Sequence, residues 1–436
     1  MKYGCESING GANTVASSAC WTRFDYPSFE AKEIVAYCVD NLIAIVDVSQ
    51  SIVTETLRGH SKRVNALKST KHFLVSASED ATVQIWNLND HGKWKQHAIL
   101  SGIMRGSIIT LSCLDSTSGL LIAASDVTGR VAIWLQRNES NIFSVIQVVD
   151  MPPSQMPHDL HLAESPGSGP VGVDGYHTGD LDVLLFLGGV DSRIHIRTAS
   201  QQSISNSSVI SNSPIAASIE TSTEDVFKMV GVLAGHEEWV TCLTSVASDS
   251  RTLLLSSGSK DAKIRIWRLH NSSRQSIASN SVDLQQINGY NKSKIEDEEE
   301  EEEEVDEIDA PEGAVMLEPD ESLSEARLIF DTPSGSVCSV FLEALLIGHE
   351  DWVTSVHWMV NKDITELKGE DTVSGKESED KNNEIERSRI DHRLYSTSMD
   401  RYYDDININC IVIVSHNVFI IFNDMKNSII LSHSLV

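Results

Sequence analysis

The sequence predicts an all-β protein built from repeated four-stranded units, and two observations support this prediction. Runs of alternating apolar and polar residues, typical of half-buried strands, recur along the chain. Two of these runs, at 74–86 and 255–267, share one spacing, in which a Ser is followed four residues later by Asp and ten residues later by Trp. Such a repeat is typical of a β-propeller, in which each repeat is one blade.

A Gly-His pair precedes each well-formed repeat, and an apolar strand begins four residues after the histidine. The pairs are Gly59-His60, Gly235-His236 and Gly348-His349. The order of Gly-His, strand, Ser, Asp and Trp is the pattern of the WD repeat. The candidate blade residues are therefore His60, Ser76, Asp80, Trp86, His236, Ser257, Asp261, Trp267, His349, Ser396 and Asp400.

Weaker copies of the repeat fill the rest of the chain. An opening copy spans 34–48, and the copy at 111–134 has Thr128 where the turn Asp is expected. The copy at 184–197 keeps Asp191 but has Arg197 in place of Trp. We therefore predict a WD-repeat propeller that is incomplete, with about five full blades and part of a sixth.

The His, Ser and Asp of one repeat are also the residue types of a hydrolase triad. Catalysis needs one such set in a chain, whereas this set recurs in the well-formed repeats together with Trp. We therefore expect a structural network in which Trp donates to Ser and His donates to Asp. Replacing Asp80 or Asp261 by Ala should cost more stability than a single hydrogen bond contributes.

The chain is strongly acidic, with a formal net charge of −29. Residues 296–309 hold twelve carboxylates in fourteen positions, so the rest of the chain carries −29 + 12 = −17. Such a surface repels phosphate backbones, and nucleic-acid binding would need a local basic patch. The best basic cluster is Arg58 with Lys62 and Arg63, for which a solvated loop is the simpler explanation.

Other signals are weak. Seven cysteines without a C-x-x-C pair argue against a disulfide framework and a cysteine zinc site, so reduced and mostly buried thiols are expected. His158 and His161 could bind a metal, but a histidine pair in a loop is the simpler explanation. The chain lacks a secretory signal and an apolar membrane span, which predicts a soluble intracellular protein. Because the motif searches give only weak signals, no cofactor and no metal is expected.

Several segments are too polar to pack as blades. They are 151–180 and the predicted insertions 199–223, 271–340 and 361–390, which we expect to be loops that are disordered at least in part. The acidic run 296–309 could bind a basic partner, mimic a nucleic acid or act as a solvating spacer. The pattern assigns 1–401 to the propeller, and the tail 402–436 fits no blade and is expected to lie outside the family's fold.

The chain resembles the Elongator complex protein 2 family, the WD-repeat subunits of Elongator, from about residue 10 to Arg401. The resemblance rests on VSASEDATVQIW at 75–86, LAGHEEWVTCL at 233–243, LSSGSKDAKIRIWRL at 255–269 and EALLIGHEDWVTSVHW at 343–358. The paired GHE[ED]WVT phrases, separated by an acidic insertion, are far more specific than Gly-His and Trp alone. The resemblance implies two seven-bladed propellers in the family, and this sequence is expected to lack the second.

The resemblance implies a non-catalytic subunit that organises a complex modifying wobble uridines of tRNA, with a further link to transcription elongation and histone acetylation. The implied partners are other Elongator subunits, including the catalytic subunit, with at most an indirect contact to tRNA. No membrane and no small-molecule substrate is implied. The implied localisation is cytoplasmic and nuclear.

Residues just after Gly-His and just before the turn Asp are expected at one rim of the propeller, on rigid strands. The rim residues are Arg63, Glu79, Trp239, Lys260, Trp352 and Met399. Exposed Trp and Arg are enriched at interfaces, so the rim could bind a partner, or both Trp could cap the blade ends. The alternatives to an Elongator scaffold are an adaptor for a ubiquitin ligase or chromatin complex, and an enzyme with its site in the propeller channel.

Overall fold

The computed structural model confirms the predicted all-β WD-repeat propeller. It describes residues 18–26, 29–49, 52–89, 91–138, 140, 142–167, 182–207, 225–272, 327–362, 390–398, 410–415, 418–423 and 427–431. The strands among these residues form six antiparallel sheets, blades 1 to 6, which follow one another along the chain. Met399, Asp400 and the acidic run 296–309 lie outside the described residues.

Blades 1 to 3 are four-stranded meanders, in which each strand pairs with the next in sequence. Blade 1 consists of β1 (Ala19–Tyr26), β2 (Phe29–Val39), β3 (Leu42–Asp47) and β4 (Ile52–Arg58). Blade 2 consists of β5 (Val64–Ser69), β6 (Leu74–Ser78), β7 (Val83–Leu88) and β8 (Trp94–Leu100). Blade 3 consists of β9 (Ile108–Ser116), β10 (Gly119–Asp126), β11 (Arg130–Arg137) and β12 (Phe143–Asp150).

Blade 4 follows a short 3-10 turn (Pro153–Gln155) and includes one helical turn, α1 (Gln201–Ser205). Its strands are β13 (Pro157–Glu164), β14 (Val183–Gly189), β15 (Ile194–Ala199) and β16 (Lys228–Leu233). Blade 5 consists of β17 (Val240–Asp249), β18 (Thr252–Ser259), β19 (Lys263–Ser272), β20 (Arg327–Asp331) and β21 (Val337–Ile347). Blade 6 consists of β22 (Val353–Lys362), β23 (Ile390–Ser398), β24 (Cys410–Ser415), β25 (Val418–Asn423) and β26 (Asn427–Leu431).

Neighbouring blades pack face to face, and the first strand of each blade contacts the first strand of the next. Because side chains alternate across a strand, each sheet buries apolar residues on both faces. Trp86 belongs to the core between blades 1 and 2, and Trp134 to the core between blades 2 and 3. Each fully buried aliphatic or aromatic side chain contributes about 1.5–3 kcal/mol, so these interfaces stabilise the packing of successive blades.

Two glycines on the second strands of blades 4 and 5 allow the first, or inner, strand of the next blade to approach closely. A Cβ atom at Gly258 would lie 2.6 Å from the Cγ1 atom of Val353 in blade 6. A Cβ atom at Gly188 would lie 2.7 Å from the Cγ1 atom of Val240 in blade 5. A larger residue at either position would push the adjacent blades apart.

Hydrogen bonds also join the inner strands of different blades. Asn65 donates to the carbonyl of Ile108 at 2.8 Å, which links blade 2 to blade 3. Asp159 of blade 4 accepts from the Thr110 hydroxyl of blade 3 at 2.6 Å and from the Leu243 N–H of blade 5 at 2.8 Å. One buried carboxylate therefore contacts both flanking blades.

The prediction that 151–180 is a loop was wrong for 157–164. This segment is the inner strand β13, with Leu160 and Leu162 buried in the core between blades 3 and 4. Its polar residues made it resemble a loop, but Asp159 is buried and paired with neighbouring blades. Within the predicted insertions, 201–205 is helical, and β20 with the first four residues of β21 falls inside 271–340.

The tail also differs from the expectation. Within 402–436, β24, β25 and β26 extend the sheet that β22 and β23 begin, so blade 6 has five strands. Val412 pairs with Leu394 in the register that joins Trp86 to Leu74 and Trp267 to Leu255. A valine on β24 therefore occupies the position that the pattern assigns to Trp.

The two ends of the blades differ in their connections. In a four-stranded meander, the turn between the second and third strands and the connection to the next blade lie at the same end. The Gly-His pairs and the turn Asp residues lie at this end, which we call the rim. The stretches 168–181, 208–224 and 363–389, which are not described, connect strand ends at the opposite end.

Neither helix among the described residues has the length or hydropathy to span a bilayer.

Candidate functional site

Blade 2 contains one continuous hydrogen-bonded network. The Nδ1 atom of His60 lies 3.0 Å from the Asp80 carboxylate, and its Nε2 atom lies 2.9 Å from the Ser76 hydroxyl. The Trp86 indole N–H donates to the same hydroxyl at 3.0 Å. The geometry fits a single direction of donation, from Trp to Ser, from Ser to His and from His to Asp, so the four polar side chains satisfy one another.

The turn between β6 and β7 places Asp80 beneath the histidine. Its carboxylate accepts from the Ser61 N–H at 2.9 Å and from the Thr82 N–H at 3.0 Å. The next residue, Ala81, has a φ of 62°, in the left-handed region that tight turns require. The carboxylate therefore satisfies N–H groups from two loops while it binds His60.

Blade 5 repeats this network and adds a buried cation. His236 lies 2.9 Å from Asp261 and 2.8 Å from Ser257, and Trp267 donates to Ser257 at 3.0 Å. The guanidinium of Arg265 lies 3.1 Å from Asp261 and 2.7 Å from the Nδ1 atom of His236. The side chains of Asp261 and Arg265 are only 2% and 8% exposed, so this ion pair is buried.

The electrostatics of both networks favour a neutral histidine and an ionised aspartate. Burial lowers the pKa of His60 and of His236 below the ordinary value, although the aspartates oppose this effect. Burial alone would raise the pKa of Asp80 and of Asp261, but the hydrogen bonds that they accept outweigh it, and both pKa values lie below the ordinary range. In blade 2, a neutral histidine at neutral pH can accept from Ser and donate to Asp simultaneously, whereas in blade 5 the Nδ1 atom of His236 also faces the Arg265 guanidinium, which can only donate.

Blade 6 retains part of the network. The Nε2 atom of His349 lies 2.8 Å from the Ser396 hydroxyl, as in the two complete blades. Asp400, which the pattern assigns to the turn, lies outside the described residues.

The turn carboxylates of blades 3 and 4 differ from the pattern. The pattern missed that of blade 3, and in blade 4 it found the aspartate but not the histidine that pairs with it. In blade 3, Asp126 accepts from the N–H groups of Arg105 at 2.8 Å and Gly106 at 3.1 Å, and from the Thr128 hydroxyl at 2.6 Å. It lies two residues before the expected position. In blade 4, Asp191 pairs with His195 of the same hairpin at 2.8 Å.

A second serine on the middle strand was also missed. The hydroxyl of Ser78 donates to the Lys62 carbonyl at 3.0 Å, and that of Ser259 donates to the Glu238 carbonyl at 2.9 Å. Each also accepts the N–H of the turn aspartate at 3.1 Å. The signal was visible as Ser-x-Ser at 76–78, 257–259 and 396–398.

The predicted rim residues fall into two groups. In blade 2 the Glu79 N–H donates to the Arg63 carbonyl, and in blade 5 the Lys260 N–H donates to the Trp239 carbonyl, both at 2.9 Å. These contacts hold equivalent loops side by side. Trp352 of blade 6 joins Lys260 and Trp239, whereas Arg63 and Glu79 remain in blade 2. Met399 lies outside the described residues.

The group in blades 5 and 6, which we call the Trp-Lys-Trp cluster, consists of Trp239, Lys260 and Trp352. The Lys260 Nζ atom lies 4.9 Å from the ring centroid of Trp239 and 4.4 Å from that of Trp352. The two indoles are 39% and 38% exposed. His158 of blade 4 lies against Trp239, with 6.1 Å between the ring centroids. Large aromatic surfaces therefore remain accessible at the rim.

The remaining sequence candidates do not converge. His158 and His161 both contact blade 5 but have different neighbours there, Trp239 for His158 and Ser245 for His161. In the part of the chain that the structure describes, no three His, Cys, Asp or Glu side chains could hold a metal ion. In the basic cluster, Arg58 and Lys62 are exposed and Arg63 is half-buried.

A histidine and a serine also meet on the inner strands. The Nε2 atom of His161 lies 2.9 Å from the hydroxyl of Ser245 on β17. Burial lowers the pKa of His161 to about 3. A general base works best with a pKa near the operating pH, so this histidine is poorly suited to activate the serine.

Five cysteines are free thiols that are buried or half-buried, namely Cys20, Cys38, Cys113, Cys242 and Cys338. Burial raises the pKa of Cys38 and of Cys242 to about 12, so both remain protonated at neutral pH. These thiols are poor nucleophiles and poor metal ligands.

Comparison with known proteins connects the two complete networks with one family. The family model of the WD domain, G-beta repeat, matches residues 51–87 and 227–268, which include most of blade 2 and of the first three strands of blade 5. Each match contains one complete network of His, Ser, Asp and Trp.

The chain is also similar to curated proteins named Elongator complex protein 2. It is 25% identical to the Dictyostelium discoideum protein over 385 residues, which cover 80% of this chain and 36% of that protein. The Drosophila melanogaster protein is 27% identical over 333 residues, 74% of this chain and 34% of that protein. The Saccharomyces cerevisiae protein is 24% identical over 335 residues, which cover 76% of this chain and 34% of that protein. The predicted resemblance is confirmed, and the chain spans about a third of the length of these relatives.

Proposed function

We propose that this chain is a non-catalytic scaffold in an Elongator complex and that the Trp-Lys-Trp cluster is its main contact with a partner subunit. Two exposed tryptophans on rigid strands support partner binding, because Trp is enriched at interface hot spots. The complete networks support a scaffold, because their polar side chains are buried and satisfy one another. The identity of the assembly rests on the similarity to Elongator complex protein 2.

The finer function follows from the same proposal. As part of Elongator, the chain supports modification of tRNA wobble uridines and has a link to transcription elongation and histone acetylation. It contacts the catalytic subunit or a neighbouring subunit and meets tRNA only through the complex. It acts in the cytoplasm and the nucleus. The acidic charge of −29 supports an indirect rather than a direct contact with tRNA.

The test is affinity purification of the tagged full chain from cells, followed by quantitative mass spectrometry. The variants are wild type, the double variant Trp239→Ala with Trp352→Ala, and the control Trp21→Ala. Trp21 of blade 1 is 64% exposed, so the control removes an exposed indole away from the cluster. We expect wild type and control to capture Elongator subunits equally, and the double variant to capture about tenfold less.

A melting experiment on the same proteins separates binding from stability. A double variant that melts like wild type but loses its partners supports the proposal. A double variant with a lower Tm and reduced capture shows that the tryptophans cap the blade ends, which contradicts the docking role. Capture of ubiquitin ligase or chromatin subunits instead of Elongator subunits would favour an adaptor and reject the Elongator assignment.

A further inference from the structure

The Trp-Lys-Trp cluster already holds an ammonium group between two aromatic faces. Cation–π attraction acts within about 6 Å of a ring centroid, and the Lys260 Nζ atom satisfies this distance for both indoles. Trp239 follows His236 in blade 5, and Trp352 follows His349 in blade 6, so the two walls come from adjacent blades. The dimensions of the pair therefore suit a lysine side chain.

The resident lysine is held by its backbone rather than by a strong side-chain ion pair. Its N–H donates to the Trp239 carbonyl at 2.9 Å. The nearest carboxylate to its Nζ atom among the described ion pairs is that of Glu238, at 4.0 Å, the limit of such a contact. The Lys260 side chain is 28% exposed. It can leave the indoles and move towards Glu238 without moving the turn.

The charges around the cluster indicate the sign of the partner. Four acidic residues belong to the two loops that carry the indoles, and the neighbouring turn has two lysines, one of which pairs with an acid at 2.6 Å. The acidic residues are Glu237, Glu238, Glu350 and Asp351. An acidic segment would meet repulsion here, whereas a basic segment finds complementary charge.

We propose, on the basis of the scaffold function above, that Trp239 and Trp352 clamp a lysine side chain from a basic segment of a partner protein. Lys260 fills the clamp in the free chain, and the partner's lysine replaces it on binding. Lys260 thus acts as an internal competitor. The surrounding carboxylates attract the basic segment, and the indoles bind its ammonium group.

The experiment measures binding of a fluorescein-labelled peptide, in which lysine alternates with glycine and serine, to the purified full chain by fluorescence anisotropy. Matched peptides carry glutamine or glutamate in place of lysine. The protein variants are Trp239→Ala, Trp352→Ala, Lys260→Met and the control Lys263→Met. Lys263 begins β19 directly after the turn that carries Lys260, and it pairs with Glu237, so its loss changes the charge equally but leaves the clamp intact.

We expect the lysine peptide to bind more tightly than either matched peptide. Each Trp variant should weaken this binding about fivefold, and Lys260→Met should strengthen it about fivefold, because one exposed cation–π contact is lost or freed. Lys263→Met should strengthen it less. When both tryptophans are alanine, the gain from Lys260→Met should fall to that of Lys263→Met, because only the change in charge remains.

Three outcomes would overturn the proposal: equal binding by the Trp variants, equal gains from Lys260→Met and Lys263→Met, or preference for the glutamate peptide. The Trp variants and the matched peptides decide the question even if Lys260→Met does not fold. Normal peptide binding by the double Trp variant, together with loss of its Elongator partners, rejects the clamp but keeps the scaffold. If peptide binding depends on the tryptophans but the double Trp variant captures its partners normally, the clamp is supported and the proposed role of the cluster as the main contact with a partner subunit is rejected.

Discussion

The turn between the second and third strands is held by one set of residues in blades 2 and 5 and by another set in blades 3 and 4. In blades 2 and 5, a turn aspartate binds a histidine that reaches Ser and Trp. In blade 3, Asp126 binds the backbone of the preceding loop directly, and in blade 4, Asp191 binds His195 of its own hairpin. The common element is a carboxylate at the turn between the second and third strands. The remaining members of the network vary.

The difference shows which part of the repeat is essential to the fold. A buried loop N–H without an acceptor costs about 1–3 kcal/mol, so every blade needs an acceptor at this turn. The Trp, Ser and His form one chain of hydrogen bonds, so replacing all three by apolar groups of similar shape should cost less than removing one of them alone. The blade therefore depends most on its aspartate, and the following predictions test that dependence.

The largest effect is expected at Asp261. Asp261→Ala should cost about 3–5 kcal/mol in the free energy of unfolding, because it leaves the buried Arg265 without its counter-charge. Asp80→Ala should cost about 2 kcal/mol, because Gln84 stands in blade 2 where blade 5 has Arg265. Urea unfolding measures both. The double variant Asp261→Ala with Arg265→Met should recover part of the loss, and equal costs at the two aspartates would contradict this account.

The second effect concerns the displaced carboxylate of blade 3. Asp126→Ala should cost about 2 kcal/mol, because two loop N–H groups and the Thr128 hydroxyl lose their acceptor. Thr128→Val, at the position that the repeat assigns to aspartate, is the control and should cost less than 1 kcal/mol, or about one hydrogen bond. Thermal melts of both variants give the comparison. A larger loss at Thr128 would show that the acceptor role did not move to Asp126.

The third effect compares histidines with and without an aspartate. Burial holds the pKa of His161 at about 3, so the unfolded chain binds a proton at this residue below about pH 6.5 that the folded chain does not. Stability should therefore fall as the pH decreases from 7 to 5, and His161→Gln should remove about one proton from this dependence. His60→Gln is the comparison. It should remove no more of this pH dependence than His161→Gln does, because Asp80 opposes the lowering of the His60 pKa. Urea titrations at several pH values measure the slope, which His161→Gln must reduce.

The smallest effect concerns the residue after the turn aspartate. Ala262 has a φ of 62°, whereas blade 3 has Gly129 at this position, with a φ of 84°. Ala262→Gly should stabilise blade 5 by about 0.5 kcal/mol, because relief of the left-handed strain exceeds the entropy cost of glycine. Gly129→Ala should destabilise, since its Cβ would lie 2.5 Å from the Met151 carbonyl oxygen. A lower Tm for Ala262→Gly would contradict the prediction.

The sequence predicted the features that repeat locally. Ser76, Asp80 and Trp86 lie within one hairpin, so the strand period fixes which of them share a face. Their spacing therefore identified the blades and the members of the network. The rim was predicted in the same way, from positions beside the Gly-His pair and the turn. Its division into two groups was not predicted, because the contact between Lys260 and Trp352 depends on how blades 5 and 6 pack.

The sequence failed where the deciding contact is distant in the chain. Asp126 was missed because it lies two positions before the residue that the repeat assigns to aspartate. Both positions lie on the same face of a strand, and only the contact with the facing loop shows that Asp126 takes the aspartate's role. The strand β13 was missed because its polar residues find partners far away, Thr110 for Asp159 and Ser245 for His161. In the tail, Val412 lies twelve residues after Asp400, whereas the repeat places Trp six residues after the Asp, so the spacing did not reveal this position.

Repeat proteins are commonly treated as one-dimensional chains, in which each unit is coupled only to its immediate neighbours. Asp159 concentrates two of these nearest-neighbour couplings in one side chain, because one of its oxygens accepts from blade 3 and the other from blade 5. Unfolding of blade 4 must therefore release bonds on both sides at once. We expect the amide hydrogens of blades 3, 4 and 5 to lose protection from exchange together when blade 4 opens.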